Sequence, residues 1–231
     1  MLKNLRQGYR RVQSGENQKM SCCQCQGIET FFSDKMAARE LKRYRKKGPS
    51  KTTRMLIEAL TTEGVDGKTL LDIGGGVGAI QHELMTSGVS KVTNVDASEA
   101  YIQAASEEAQ RRGLADRVTY HHGDFVDLAA QMEKADLVTL DRVICCYDDM
   151  ETLVGLSADR ARWLYALVYP RDRWLMKSAR PVANLFFRIR GNPFRIFVHP
   201  TEAVDARVRS RGLHPHVYRK TFLWQVVVYV R

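Results

Sequence analysis

The chain has 231 residues, of which 44% are hydrophobic, and a formal net charge of +10. That length predicts one domain, or one domain with a helical extension, and enough apolar residues for a sizeable core. No apolar run reaches the roughly 18 residues that span a bilayer, and no secretory signal is visible, so the expected location is cytoplasmic.

In chain order, residues 1–19 are polar and basic with little periodicity, a pattern that suits disorder or an extension, and Met20 reads as a second start. Phe31-Phe32-Ser33-Asp34 introduces a helix with Ser33 or Asp34 as its N-cap and Met36, Leu41 and Tyr44 facing inward. Gly48-Pro49-Ser50 ends it. A second helix runs from Thr53 to Thr61. Strands are expected at 69–73, 91–95, 117–121, 136–141 and near 173–178. Helices are expected at 77–87, 98–112, 125–132 and 149–167, then an amphipathic segment at 181–190 and a helix at 200–211. Two strands, 217–220 and 223–230, close the chain. Alternating strands and helices predict an α/β, doubly wound sheet of about seven strands, mostly parallel, with one antiparallel strand from the terminal pair. The boundaries read as an extension over 1–49, carrying a basic helix, and one domain over 50–231.

The most informative segment is Leu70-Leu71-Asp72-Ile73-Gly74-Gly75-Gly76-Val77-Gly78-Ala79. A glycine-dense turn between strand and helix lets backbone approach a ligand where a Cβ would collide. The helix N-terminus then points unpaired N–H groups at that ligand. The loop fits the dinucleotide fingerprint as Gly74-x-Gly76-x-x-Ala79. It equally fits an acidic-x-Gly-x-Gly-x-Gly pattern through Asp72, Gly74, Gly76 and Gly78. Asp96, followed by Ala97, ends the second strand and can accept both hydroxyls of a ribose. A carboxylate at Asp72 favours a cationic ligand and would repel a pyrophosphate. After the third strand comes Gly123-Asp124-Phe125.

In these segments the chain resembles the class I S-adenosylmethionine (SAM) methyltransferases over about residues 50–231. The resemblance implies a Rossmann-like fold and SAM as cofactor. It implies a SAM site of Asp72, Gly74, Gly75, Gly76, Gly78, Asp96, Ala97, Asp124, Phe125 and Asp141. Within it, Asp124 meets the adenine amino group, Phe125 packs on the ring, and Asp141 holds the SAM amino group.

On the acceptor side, the fourth strand leads into Arg142-Val143-Ile144-Cys145-Cys146-Tyr147-Asp148-Asp149. This segment has neither the Pro-Pro-aromatic motif of adenine methylators nor the Pro-Cys pair of enzymes that attack cytosine. Tyr147 and His199 are the candidate catalytic residues. Asp148 and Asp149 read as a helix N-terminus. The stretch 181–199 interleaves aromatics with arginines. That composition suits a greasy acceptor bearing carboxylates, an anionic membrane surface, or a lid packed on the core. The order of N-terminal helix, glycine loop, tyrosine turn and late aromatic-arginine segment is similar to that of magnesium-protoporphyrin O-methyltransferases. Their His-Tyr-Pro is here Cys146-Tyr147-Asp148.

The expected function is methyl transfer to a small or medium-sized, amphipathic, carboxylate-bearing acceptor at oxygen. An RNA methyltransferase, a non-catalytic SAM-binding protein and an NAD-dependent oxidoreductase stay open beside it. Positive charge crowds residues 35–54 and 171–195, which keeps nucleic acid and peripheral membrane contact open as partners. Five cysteines without a signal peptide argue against a disulfide framework. Cys22, Cys23 and Cys25 do not complete a four-ligand set, so no metal is assigned.

Overall fold

The computed structural model describes Gly27 and residues 31–231. The readings of residues 1–19, Met20, Cys22, Cys23 and Cys25 lie outside them. The described elements are α1 (Asp34–Lys47), α2 (Lys51–Thr62), β1 (Thr69–Ile73), α3 (Ala79–Thr86), β2 (Lys91–Asp96), α4 (Glu99–Arg111), β3 (Val118–His122) and the short α5 (Phe125–Leu128). They continue with β4 (Ala135–Asp141), α6 (Met150–Ala158), β5 (Ala161–Pro170), α7 (Trp174–Ile189), α8 (Thr201–Arg209), β6 (His214–Lys220) and β7 (Trp224–Val230).

The strands form one sheet in the order β3-β2-β1-β4-β5-β7-β6. β1 pairs in parallel with β2 and β4, and β7 runs antiparallel to both β5 and β6. The Rossmann-like, mostly parallel sheet with one reversed strand is therefore present. Separate apolar clusters cover its two faces: one centres on Leu71, Leu140, Tyr165 and Val204, the other on Leu56, Leu84, Leu164 and Val228. Burial on both faces is what a parallel central sheet demands of its side chains.

One stretch departs from the sequence reading. The helix expected over 149–167 stops at Ala158, and residues 161–170 form β5. The strand expected near 173–178 is instead the start of α7. β5 is the central neighbour of β4 and β7, buried from Leu164 to Pro170. A strand buried on both faces is a continuous apolar run, and periodicity cannot tell that from a buried helix. Only Asp159-Arg160, with neither glycine nor proline, marks the turn.

The caps place the remaining elements. Asp149 accepts the Thr152 N–H at 3.0 Å and starts α6, as the acidic pair suggested. Ser33 precedes α1 and Ser50 caps α2. α1 is fixed to α4 from both sides of the chain. Ala37, Leu41 and Tyr44 pack with Tyr101 and Ala104. The buried Glu108 carboxylate accepts Arg45 Nε at 2.8 Å, Arg111 Nε at 2.9 Å and Arg112 Nε at 2.7 Å. Those guanidiniums, Arg111 foremost, hold the Glu108 carboxyl well below its usual range.

Candidate functional site

Strands end and helices begin along one edge of a parallel sheet, and their carboxyl ends leave a crevice there. In this chain the crevice is a cavity of about 430 Å³. Its wall contains Gly74, Gly75, Gly76, Asp96, Ala97, Asp124, Phe125, Asp141 and Tyr147. So the structure brings most of the expected SAM-site residues, from four different strand ends, to one surface.

Two of these carboxylates, Asp96 and Asp124, are anchored by local backbone. Asp96 Oδ2 accepts the Gly76 N–H at 2.9 Å and Oδ1 accepts the Ser98 N–H at 2.8 Å. Burial raises its pKa, while those two N–H groups pull the other way. Asp124 Oδ1 accepts the Val126 N–H at 2.9 Å, which caps α5, and Oδ2 accepts the Tyr147 hydroxyl at 2.9 Å. A carboxylate offers about four lone-pair positions, so Asp96, which accepts two N–H groups, retains acceptor capacity toward a ligand. Gly76 takes φ +56°, a region that a side chain disfavours. At Gly75 a Cβ would meet Asn94 Nδ2 and, at 2.9 Å, Asp72 Oδ2.

Three expected site residues stand elsewhere. Asp72 does not line the cavity. It lies beneath the glycine loop, 1% exposed, with Oδ1 accepting the Thr139 hydroxyl at 2.7 Å and Oδ2 accepting no hydrogen bond. Burial pushes its carboxyl up to about 7. Gly78 sits behind the loop, at φ +76° ahead of α3. His199 is also outside the wall. Its Nε2 is 2.9 Å from both the Ile144 and the Tyr147 carbonyl oxygens. Two acceptors require that nitrogen to carry a proton and donate. The ring thus braces the turn that presents Tyr147 and does not line the cavity.

Sequence reasoning missed another set. Arg142 follows Asp141 into the cavity wall with φ 63°, a conformation that costs a non-glycine residue about 1–3 kcal/mol and persists only where neighbours over-determine it. The neighbours are present. Arg142 Nε donates to Asp141 Oδ1 at 3.1 Å, and Nη2 donates to Thr53 Oγ1 at 2.9 Å and to the Ser50 hydroxyl. The Thr53 hydroxyl donates to Asp141 Oδ2 at 2.5 Å. The N-terminus of α2 thereby clamps the end of β4. The positive φ of Arg142 leaves no trace in residue order, and Ser50 and Thr53 are remote in sequence.

The aromatic-arginine stretch also divides differently from its expected role. Phe194 and Ile196 line the cavity, as does Met176 of α7, while the guanidiniums in the wall are Arg43 and Arg142. Phe194 stacks on Phe31 with centroids 4.5 Å apart, and Phe32 meets both Phe194 and Tyr101 edge-on. The segment before α1 and the segment after α7 therefore close one side of the cavity together.

The chemistry suits a ligand with positive charge at the glycine-loop end. Asp96 and Asp124 face the cavity, and a buried carboxylate oxygen of Asp72 lies beneath the loop with no donor. A dinucleotide pyrophosphate over the glycine loop would meet the ionised form of Asp72 at a cost.

Comparison with known proteins agrees. Residues 71–157 match the family model of a methyltransferase domain. Among curated relatives, the ribosomal protein arginine N-methyltransferase rmt3 of Schizosaccharomyces pombe is 38% identical over 112 residues, 48% of this chain and 18% of that protein. The ribosomal protein L11 methyltransferase of Alteromonas mediterranea is 30% identical over 140 residues, 57% of this chain and 48% of that one. The chain thus spans less than half the length of these relatives. The magnesium protoporphyrin IX methyltransferase of Synechocystis PCC 6803, solved with bound SAH, superposes with a TM-score of 0.69 at 18% identity. That superposition covers 88% of this chain and 98% of the other. With the sheet order, the glycine loop and the family match in agreement, residues 71–157 identify the chain as carrying a SAM-dependent methyltransferase domain.

Proposed function

We propose that the protein methylates an oxygen of a small or medium-sized amphipathic molecule that carries a carboxylate. The observation that carries this reading is Arg142, a guanidinium held in the cavity wall at a strained backbone position by Ser50, Thr53 and Asp141. With Nε and Nη2 donating to Asp141, Thr53 and Ser50, the guanidinium is fixed in place and would meet a carboxylate through Nη1. The neighbouring wall is apolar and aromatic, with Phe31, Phe32, Phe194 and Trp224, as a greasy acceptor body requires.

SAM, when bound, supplies an electrophilic methyl on a sulfonium. The chain's own residues divide the remaining work. Asp96 accepts from ribose hydroxyls and Asp124 from the adenine amino group. Phe125 packs on the ring. Asp141, already committed to Thr53 and Arg142, holds the inner end of the cavity. Arg142 orients the acceptor oxygen toward the methyl. A carboxylate has a pKa of about 4 and is ionised near neutral pH, so transfer to its oxygen removes no proton and needs no general base. Alignment and exclusion of water then supply the acceleration. Tyr147, tied to Asp124, links the two halves of the cavity, and His199 serves as a positioning residue behind it.

The RNA reading draws less support. Within the basic cluster of α1, Arg45 is committed to Glu107 and Glu108, and Arg43 lies 3.7 Å from Glu40. The test is calorimetric titration with S-adenosylhomocysteine, with NADH as the parallel ligand. Labelled SAM is then supplied with amphipathic carboxylates, total RNA or ribosomal protein as acceptors. Micromolar binding of S-adenosylhomocysteine with base-labile label on a carboxylate is the expected result. Binding without turnover selects the SAM-binding protein. Salt-sensitive labelling of RNA selects the RNA enzyme, and binding of NADH alone overturns the reading.

A further inference from the structure

α7 has two apolar sides. Its inner side sends Met176 into the cavity wall and Phe187 against Phe31 and Phe194. Its outer side faces solvent: Trp174 is 73% exposed, Val182 70% and Ile189 77%, with Leu185 and Phe186 also exposed. At about 100° per residue, Trp174, Val182, Leu185 and Ile189 fall within an arc of about 80°. That is a stripe, whereas single exposed apolar residues scattered over a surface would need no explanation.

The charge beside the stripe is one-sided. Arg173, Lys177, Arg180 and Arg188 follow one another along the flank next to it, and no acidic residue occurs from Arg173 to Thr201. Among these cations Lys177 is 3.9 Å from Asp172. Arg173 lies over the ring of Phe222, itself exposed, at 4.5 Å, which extends the cationic and aromatic surface past the helix. Among the described residues, no helix is long and apolar enough to cross a membrane.

We infer that the outer face of α7 is a docking surface for an anionic lipid bilayer. An apolar stripe with Trp, Phe, Leu and Ile, flanked by Lys and Arg, is the layout of a helix lying in the interface plane, its stripe in the acyl boundary and its cations at the headgroups. Charge complementarity selects the occupant. A flank whose cations Arg173, Lys177, Arg180 and Arg188 outnumber the one neighbouring acid, Asp172, matches anionic headgroups, and it would repel itself in a second copy of the chain. Docking this way sets the cavity wall at Met176 just behind the lipid surface. The inference does not depend on the methyl acceptor.

Flotation of the full chain with vesicles of phosphatidylcholine, alone or mixed with phosphatidylglycerol, tests it. The protein floats with the anionic vesicles, and added salt weakens the binding. Leu185→Ser with Ile189→Ser lowers partitioning by about tenfold or more, and Arg180→Gln with Arg188→Gln lowers it on anionic vesicles alone. Both variants keep the wild-type affinity for S-adenosylhomocysteine and the wild-type Tm. If the serine pair disturbs either, Trp174→Ser takes its place. Failure to float with anionic vesicles overturns the inference, as does flotation that the apolar substitutions leave unchanged. A dimer in light scattering that the serine pair dissociates also overturns it, because the stripe would then pack against a second copy.

Discussion

The two ends of the cavity are built by different means. The glycine-loop end, proposed above to hold SAM and called here the donor end, is made largely of short local segments. Asp96 is two residues from the Ser98 N–H it accepts, Asp124 is two from Val126, and the glycine loop bridges one strand and one helix. The Arg142 end, proposed above to receive the methyl acceptor and called here the acceptor end, is assembled across the chain. Thr53 meets Asp141 across 88 residues, His199 meets the Ile144 carbonyl across 55, and Phe31 stacks on Phe194. The donor end is therefore fixed by backbone and tolerates no side chain at its centre. The acceptor end depends on side-chain contacts between remote segments, each replaceable without disturbing the sheet. A fold that keeps one cofactor and changes acceptors would be expected to divide its construction this way.

Substitutions at the two ends should separate accordingly. The largest effect is expected for Gly75→Val. Asn94 Nδ2 and Asp72 Oδ2 occupy the space that the side chain needs, and overpacking of about 3 kcal/mol should remove S-adenosylhomocysteine binding in calorimetry. Retained affinity would mean that the loop is not the donor end. Asp72→Asn comes next, and its readout is pH. The folded pKa of about 7 lies above the unfolded value near 3.8. Between those values the folded chain holds a proton that the unfolded chain has released, so this group's contribution to stability falls as pH rises through that window. The variant should flatten the stability difference between pH 5 and pH 8 by roughly 2 kcal/mol in denaturant titrations. An unaltered difference would show that the Asp72 carboxyl titrates normally.

Asp96→Ala should weaken S-adenosylhomocysteine binding by about 1–3 kcal/mol while leaving the acceptor KM unchanged. Equal losses at both ends would dissolve the distinction between them. The smallest expected effect is at Arg142→Ala, where kcat/KM for a carboxylate acceptor should fall by about 1.5 kcal/mol with S-adenosylhomocysteine affinity held within twofold. Arg142→Lys should restore only part, because the ammonium keeps the charge and loses the fork. Full recovery by lysine would reduce Arg142 to a point charge.

Sequence alone determined the sheet class, its one reversed strand, the glycine loop and the carboxylates at Asp96 and Asp124. Each of these rests on a pattern carried within a few neighbouring residues: alternation of elements, a glycine-rich turn, an acid at a strand end. Tertiary structure decided what contacts across the chain control. It turned residues 161–170 into β5, because burial between β4 and β7 overrides a helical-looking apolar run. It put Asp72 beneath the loop and turned His199 away from the cavity, because Thr139 and two backbone carbonyls claim them. It raised Arg142 into the wall at a positive φ that the clamp of Ser50, Thr53 and Asp141 helps to sustain. A hydrogen bond or stacked ring between residues far apart in the chain has no local signature, since either partner alone fits many other surroundings.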